Sequence, residues 1–115
     1  MSAGVARTLK DAARLTSATK SLILRSSEDL KCRNLFCPKV GEACVCRLAL
    51  TLSRLPSLRE LDIADNDLGV LPESVFELPS LEQLDISGNR LNALPPEIGA
   101  LRSLRKLRMT NNLVE

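Results

Sequence analysis

Four cysteines, Cys32, Cys37, Cys44 and Cys46, stand within fifteen residues, and the chain has no others. Thiolates so crowded could hold zinc tetrahedrally, although the paired C-x-x-C knuckles usual for such sites are absent. They could equally stay reduced, as small apolar fillers of an irregular repeat. Free-thiol titration of native and denatured protein, with a metal assay, separates these states. The other residues placed for chemistry are carboxylates, since Asp62 and Asp85 could form an acid–base pair. Their plainer role is as two solvated positions on adjacent strands. Histidine is absent. That removes the commonest metal ligand and general base, and any Ser-His-Asp triad. No Gly-rich phosphate loop or GxGxxG occurs. The chain is therefore expected not to be an enzyme, with no catalytic, cofactor-binding or metal-binding residue.

Those carboxylates belong to a repeat of 23 residues. Leu58-x-x-Leu61-x-Ile63-x-x-Asn66-x-Leu68 recurs as Leu81-x-x-Leu84-x-Ile86-x-x-Asn89-x-Leu91, and again as Leu104-x-x-Leu107-x-Met109-x-x-Asn112-x-Val114. Leu61-Asp62-Ile63 alternates apolar and polar, which predicts a short strand with Leu61 and Ile63 inward and Glu60, Asp62 and Ala64 outward. One such strand cannot shield its apolar side; stacked neighbours make a parallel sheet over a leucine core. Leucine supplies 23 of the 115 residues, against two phenylalanines and no tyrosine or tryptophan, so that core is aliphatic. After each strand the chain turns inward and buries backbone groups that need partners. An amide carries both donor and acceptor, so Asn66, Asn89 and Asn112 can satisfy them as a structural ladder. The return half repeats too, as Leu71-Pro72-x-x-Val75-x-x-Leu78 and Leu94-Pro95-x-x-Ile98-x-x-Leu101. The proline fixes φ, and the spacing suits a short helical turn. Leu48-x-x-x-Leu52-x-x-Leu55-Pro56-Ser57 occupies the same slots one period earlier, with Ala49 in place of proline and so more helical character.

From about Leu48 to the end, the pattern resembles the leucine-rich repeat superfamily. The Leu-Pro-x-x-Ile-x-x-Leu segments are similar to intracellular leucine-rich repeat proteins of the Ras-binding scaffold type and their plant relatives. The resemblance implies an α/β fold. It would be a right-handed solenoid with a short parallel sheet on its concave face and an N-terminal helical cap. It implies a non-enzymatic protein-binding role as adaptor or scaffold, with small GTPases or signalling proteins among the partners. Cys37-Pro38…Cys44-x-Cys46 also resembles the disulfide-bonded caps of extracellular members. In those the remaining cysteine follows the cluster, whereas Cys32 precedes it, and a missing secretory signal argues against an oxidising compartment.

In the N-terminal third, residues 5–20 read as an amphipathic helix with Val5, Leu9, Ala12 and Ala13 on one face and Arg7, Lys10 and Arg14 largely elsewhere. Ser21-Leu22-Ile23-Leu24 reads as the first strand, with Leu22 and Leu24 inward. A helix laid over that strand would cap the stack. The first 27 residues hold five Lys/Arg and one acid, which also suits a mitochondrial or plastid transit peptide. No apolar run marks a secretory signal or a membrane span. The expected location is cytoplasmic, with mitochondrion, plastid or nucleus as alternatives. Residues 1–35 hold seven Lys/Arg and three acids. No aromatic side chain interleaves with these charges, so a solvated face is expected rather than nucleic-acid binding.

The expected layout is a single domain spanning 1–115: helix and first strand in 1–30, a cysteine-containing irregular repeat or insertion in 31–57, full repeats at 58–80 and 81–103, and a truncated repeat at 104–115. The concave face should present Arg59, Glu60, Asp62 and Asp65, then Glu82, Gln83, Asp85 and Ser87, then Arg105, Lys106, Arg108 and Thr110. Its charge runs from acidic to basic, which would steer a partner of opposite order. Charge reversal at Asp62 and Asp85 is expected to weaken partner capture without lowering stability. The last repeat lacks its return half, which reads as a fragment, or as an open edge that docks into a larger assembly or pairs in a homodimer.

Overall fold

The computed structural model describes residues 5–8, 19–25, 46–91, 96–110 and 112. Among the described residues are five short strands: β1 (Val5–Ala6), β2 (Ser21–Ile23), β3 (Glu60–Asp62), β4 (Gln83–Asp85) and β5 (Lys106–Arg108). They form one parallel sheet in chain order. Leu22, Leu61, Leu84 and Leu107 stand in register across β2 to β5. The step is 23 residues from Leu61 to Leu84 and from Leu84 to Leu107. It is 39 from Leu22 to Leu61 and 16 from Ala6 to Leu22. Identical slots therefore stack directly over the last three strands, and Leu22, Leu61, Leu84, Ile63 and Ile86 are all buried beneath them. Each such leucine withdraws enough apolar surface to contribute about 2–3 kcal/mol.

Parallel strands need a return path on the other side of the core. Among the described residues it is built from α1 (Cys46–Leu52) and two short 3-10 helices, η1 (Glu73–Glu77) and η2 (Pro96–Ala100). α1 packs against η1, and η1 against η2. Pro72, at φ −72° and ψ 149°, holds the chain extended before η1, which turns by donation from Val75 N–H to Pro72 O at 3.2 Å. Ala49 stands one period before Pro72. Without a ring to block the preceding turn, that segment winds into α-helix instead. Ser74 Oγ donates to Ala49 O at 3.0 Å and ties the two returns together.

Two expectations change. Residues 5–20 are not one helix: Val5 and Ala6 are a strand paired with Ser21 and Leu22, so Ser21–Ile23 is the second strand rather than the first. The fully buried Ala6 side chain takes the inward slot beside Leu22, and a backbone ladder covers the β2 edge that the cap was to hide. Residues 9–18, the rest of that helix, lie outside the described residues. Ala64 is not outward but fully buried. The alternation stops at Ile63 because the chain turns there, with Ala64 N–H donating to Asp62 Oδ1 at 3.1 Å. Of the cysteines, Cys32, Cys37 and Cys44 lie outside the described residues, and only the backbone of Cys46 is described.

The turns after the strands are held by amides. Asn66 Nδ2 donates to Leu24 O and Ala64 O at 2.7 and 3.0 Å. Asn89 Nδ2 donates to Ile63 O and Ile86 O, both at 3.0 Å. Asn112 Nδ2 donates to Ile86 O at 2.8 Å and Met109 O at 3.1 Å. Each amide thus links its own turn to the repeat before it. The same turns need left-handed backbone: Asp65 has φ 58° and Gly88, one period later, φ 69°. Aspartate tolerates that region and glycine adopts it freely. A Cβ at Gly88 would collide with the Asp65 carboxylate and lie 3.3 Å from Asp65 Cα. Gly88→Ala is therefore expected to lower unfolding free energy by about 1–2 kcal/mol, measured by urea denaturation. A neutral result would show that the turn relaxes.

Candidate protein-binding face

The strands' outward side chains form two rows. Ser21, Glu60, Gln83 and Lys106 align across the sheet, as do Ile23, Asp62, Asp85 and Arg108. Strand neighbours are about 4.8 Å apart, so Asp62 and Asp85 would repel if left alone. They are not alone. Arg25, just beyond β2, reaches over the face: Nη2 meets Asp85 Oδ2 at 3.0 Å, Nε lies 3.5 Å from Asp62 Oδ2, and Nη1 lies 3.8 Å from Asp65 Oδ2. The Asp62 and Asp85 side chains are only 18% and 16% exposed. The two carboxylates are thus a clasped pair rather than two independently solvated positions.

The second carboxylate oxygens work locally. Asp62 Oδ1 accepts Ala64 N–H, and Asp85 Oδ1 accepts Ser87 N–H at 3.0 Å. Burial pushes the Asp85 carboxyl up, but the Ser87 hydrogen bonds and the charge and hydrogen bond of Arg25 outweigh it, leaving it below its ordinary 3.8. Asp62 raises the Arg25 guanidinium above its usual value against the opposing effect of desolvation, with help from Asp85 and Asp65. Asp85 is thereby held ionised, as an acceptor for cations and N–H groups.

The linkage has a definite sign. The unfolded chain takes up a proton at Asp85 near 3.8; the folded chain resists until lower pH. The stabilisation is full above that value and is lost as pH falls through the folded pKa. Asp85→Asn should therefore lose less stability than the parent between about pH 5 and pH 2, read from urea midpoints. Equal losses would refute the coupling. Because both carboxylates hold the turn and Arg25, charge reversal at Asp62 and Asp85 would disturb folding as well as the surface. The expectation of unchanged stability is corrected accordingly.

A groove of about 270 Å³ lies on this face. Glu60, Asp62, Gln83, Asp85, Lys106 and Arg108 line it, with Arg25 at one end and Leu61 and Leu84 beneath. The other residues anticipated for the face lie around it. Arg59 pairs with Glu82 at 3.8 Å, Asp65 with Arg25. Ser87 is half-buried and bonded to Asp85. Arg105 and Thr110 are exposed.

Arg25 is the residue that sequence reasoning missed. It sits sixty positions before Asp85, upstream of the regular repeats. A signal existed: extending the β2–β3 register by two residues puts Arg25 opposite Ala64, in the row that leads on to Ser87 and Thr110. Among the described residues, no group of three or more cysteine or carboxylate side chains is arranged to hold a metal ion. No described helix is long and apolar enough to cross a membrane.

Residues 56–114, half of the chain, match the family model described as leucine rich repeat. Comparison with curated proteins finds no match.

Proposed function

Because the chain belongs to the leucine-rich repeat family, we propose that it is a non-enzymatic interaction module, an adaptor or scaffold that takes a protein partner on the open face of its sheet. Stacked repeats of this kind present extended, rigid surfaces to other proteins. The observation that supports the reading best is the groove across β3, β4 and β5, with a polar wall and a floor of buried leucines. In this reading the stack is a right-handed solenoid and the groove lies on its concave side. Twelve residues form the contact surface, from Arg59 and Asp62 through Gln83 and Asp85 to Lys106 and Arg108. Small GTPases and signalling proteins, in the cytoplasm, are the first partner classes to try.

Affinity capture with quantitative mass spectrometry tests it. Gln83→Trp fills the groove from an exposed position, so its fold should be unaffected. Partners held by the parent should be lost from Gln83→Trp and kept by Glu97→Arg on η2, across the core. Equal retention by both variants would refute the sheet face as the contact surface.

One observation favours a second reading, docking through the β5 edge. Leu81, Leu84 and Ile86 are buried, whereas their successors Leu104, Leu107 and Met109 are only half-buried. A strand added beside β5, from another subunit or a second copy of this chain, would finish covering them. Sedimentation velocity across a wide concentration range detects the second copy as a rising sedimentation coefficient.

A further inference from the structure

The charges of the groove are unevenly answered. Asp62, Asp65 and Asp85 share Arg25, and Glu82 faces Arg59. Lys106 and Arg108 are exposed and have no ion-pair partner among the described residues. The acid nearest in register to Arg108 is Asp85. Its Oδ2 is engaged by Arg25 and its Oδ1 by Ser87 N–H, so both oxygens already have partners. Two adjacent unanswered cations are left at the β5 end of a groove in which Asp62 and Asp85 are taken and the remaining acid, Glu60, stands two strands away on β3.

Resting on the protein-binding reading above, we infer that the segment bound here is acidic: an extended stretch of protein with carboxylates at alternate positions, laid along β5 against Lys106 and Arg108. The spacing carries the inference. Lys106 and Arg108 flank Leu107 on one strand and project to the same side, about 6.6 Å apart along it. An extended acid-x-acid segment repeats its carboxylates at that interval. Arg108 offers a planar fork for bidentate contact, and Lys106 a point charge. A nucleic acid fits less well. Its uniform charge would run on over Glu60, Asp62 and Asp85, and no aromatic side chain lines the groove for base stacking. A protein segment can confine its acids to β5.

The test is selection from a displayed library of random twelve-residue peptides on the full chain, followed by anisotropy with the selected peptides. The expected winners carry Asp or Glu at alternate positions. Lys106→Ala/Arg108→Ala should weaken them by about tenfold or more, and added salt should weaken them further. Arg102→Ala, outside the groove, should change nothing. Both sites are exposed and outward, so circular dichroism should match the parent. Neutral or basic winners, no enrichment, or twofold or smaller loss in the double variant would overturn the inference. So would oligouridine or phosphatidylserine vesicles that outcompete the peptides. Gln83→Trp separates the two readings. Non-acidic winners blocked by Gln83→Trp sink only the acidic partner; winners indifferent to it sink the sheet-face reading as well.

Discussion

Asn89→Ala is expected to lower unfolding free energy by about 3–5 kcal/mol, more than any other single polar substitution among the described residues. Asn89 is buried, at 4% exposure. Its Oδ1 accepts Asn66 N–H and Leu68 N–H, both at 3.0 Å, while its Nδ2 donates to Ile63 O and Ile86 O. Alanine would strand two donors, Asn66 N–H and Leu68 N–H, and the acceptor Ile63 O, while Ile86 O would keep Asn112 Nδ2, in a turn that cannot open without unstacking a repeat. An unsatisfied buried group costs about 1–3 kcal/mol, reduced where water can enter. Total stability of a small domain is only about 5–15 kcal/mol, so the variant should be partly unfolded at moderate temperature. Asn112→Ala is the internal comparison. Among the described residues, Asn112 Oδ1 accepts one backbone N–H, from Leu91, and the residue is less buried. Its loss should be about 1–2 kcal/mol. Urea denaturation gives both numbers, and a loss at Asn89 no larger than at Asn112 would refute the ladder as a main source of stability.

The second large effect is in the core. Leu84 is 1% exposed and stands in register between Leu61 and Leu107. Leu84→Ala removes three carbons from a site walled by neighbouring repeats on both sides. It should cost about 3–4 kcal/mol, the transfer loss plus a cavity that rigid neighbours cannot fill. Leu107 occupies the same slot in β5 but is only half-buried, so Leu107→Ala should cost about 1–2 kcal/mol. The ratio is the informative quantity. Equal losses would mean that the last repeat packs as tightly as the middle one.

What the sequence discloses follows from what stacking imposes. Each repeat must present the same face to its neighbours, so inward leucines, turn amides and return prolines recur at one period. Leu61 and Leu84, Asn66 and Asn89 are legible for that reason. Val5 and Ala6 escape because a two-residue strand carries no alternation of its own, and the Val5–Leu9 interval mimics a helix face. Its step to β2 also differs from 23, as does the step from β2 to β3. Arg25 escapes for a different reason. Neutralising Asp62 and Asp85 requires only that a long cationic side chain reach them in space, and that leaves no periodic trace. The groove was legible as a face and in its acidic-to-basic order, but not in which charges are already paired. Six of the anticipated residues line it, yet which of its charges remain unanswered depends on Arg25.

The most direct measurement is site-specific photo-crosslinking. A benzophenone amino acid placed at Gln83, in the middle of the sheet face, should crosslink a discrete protein in cells; the same residue at Glu97, on the return side, should not. Crosslinks from Glu97 equal to or stronger than those from Gln83 would contradict the account.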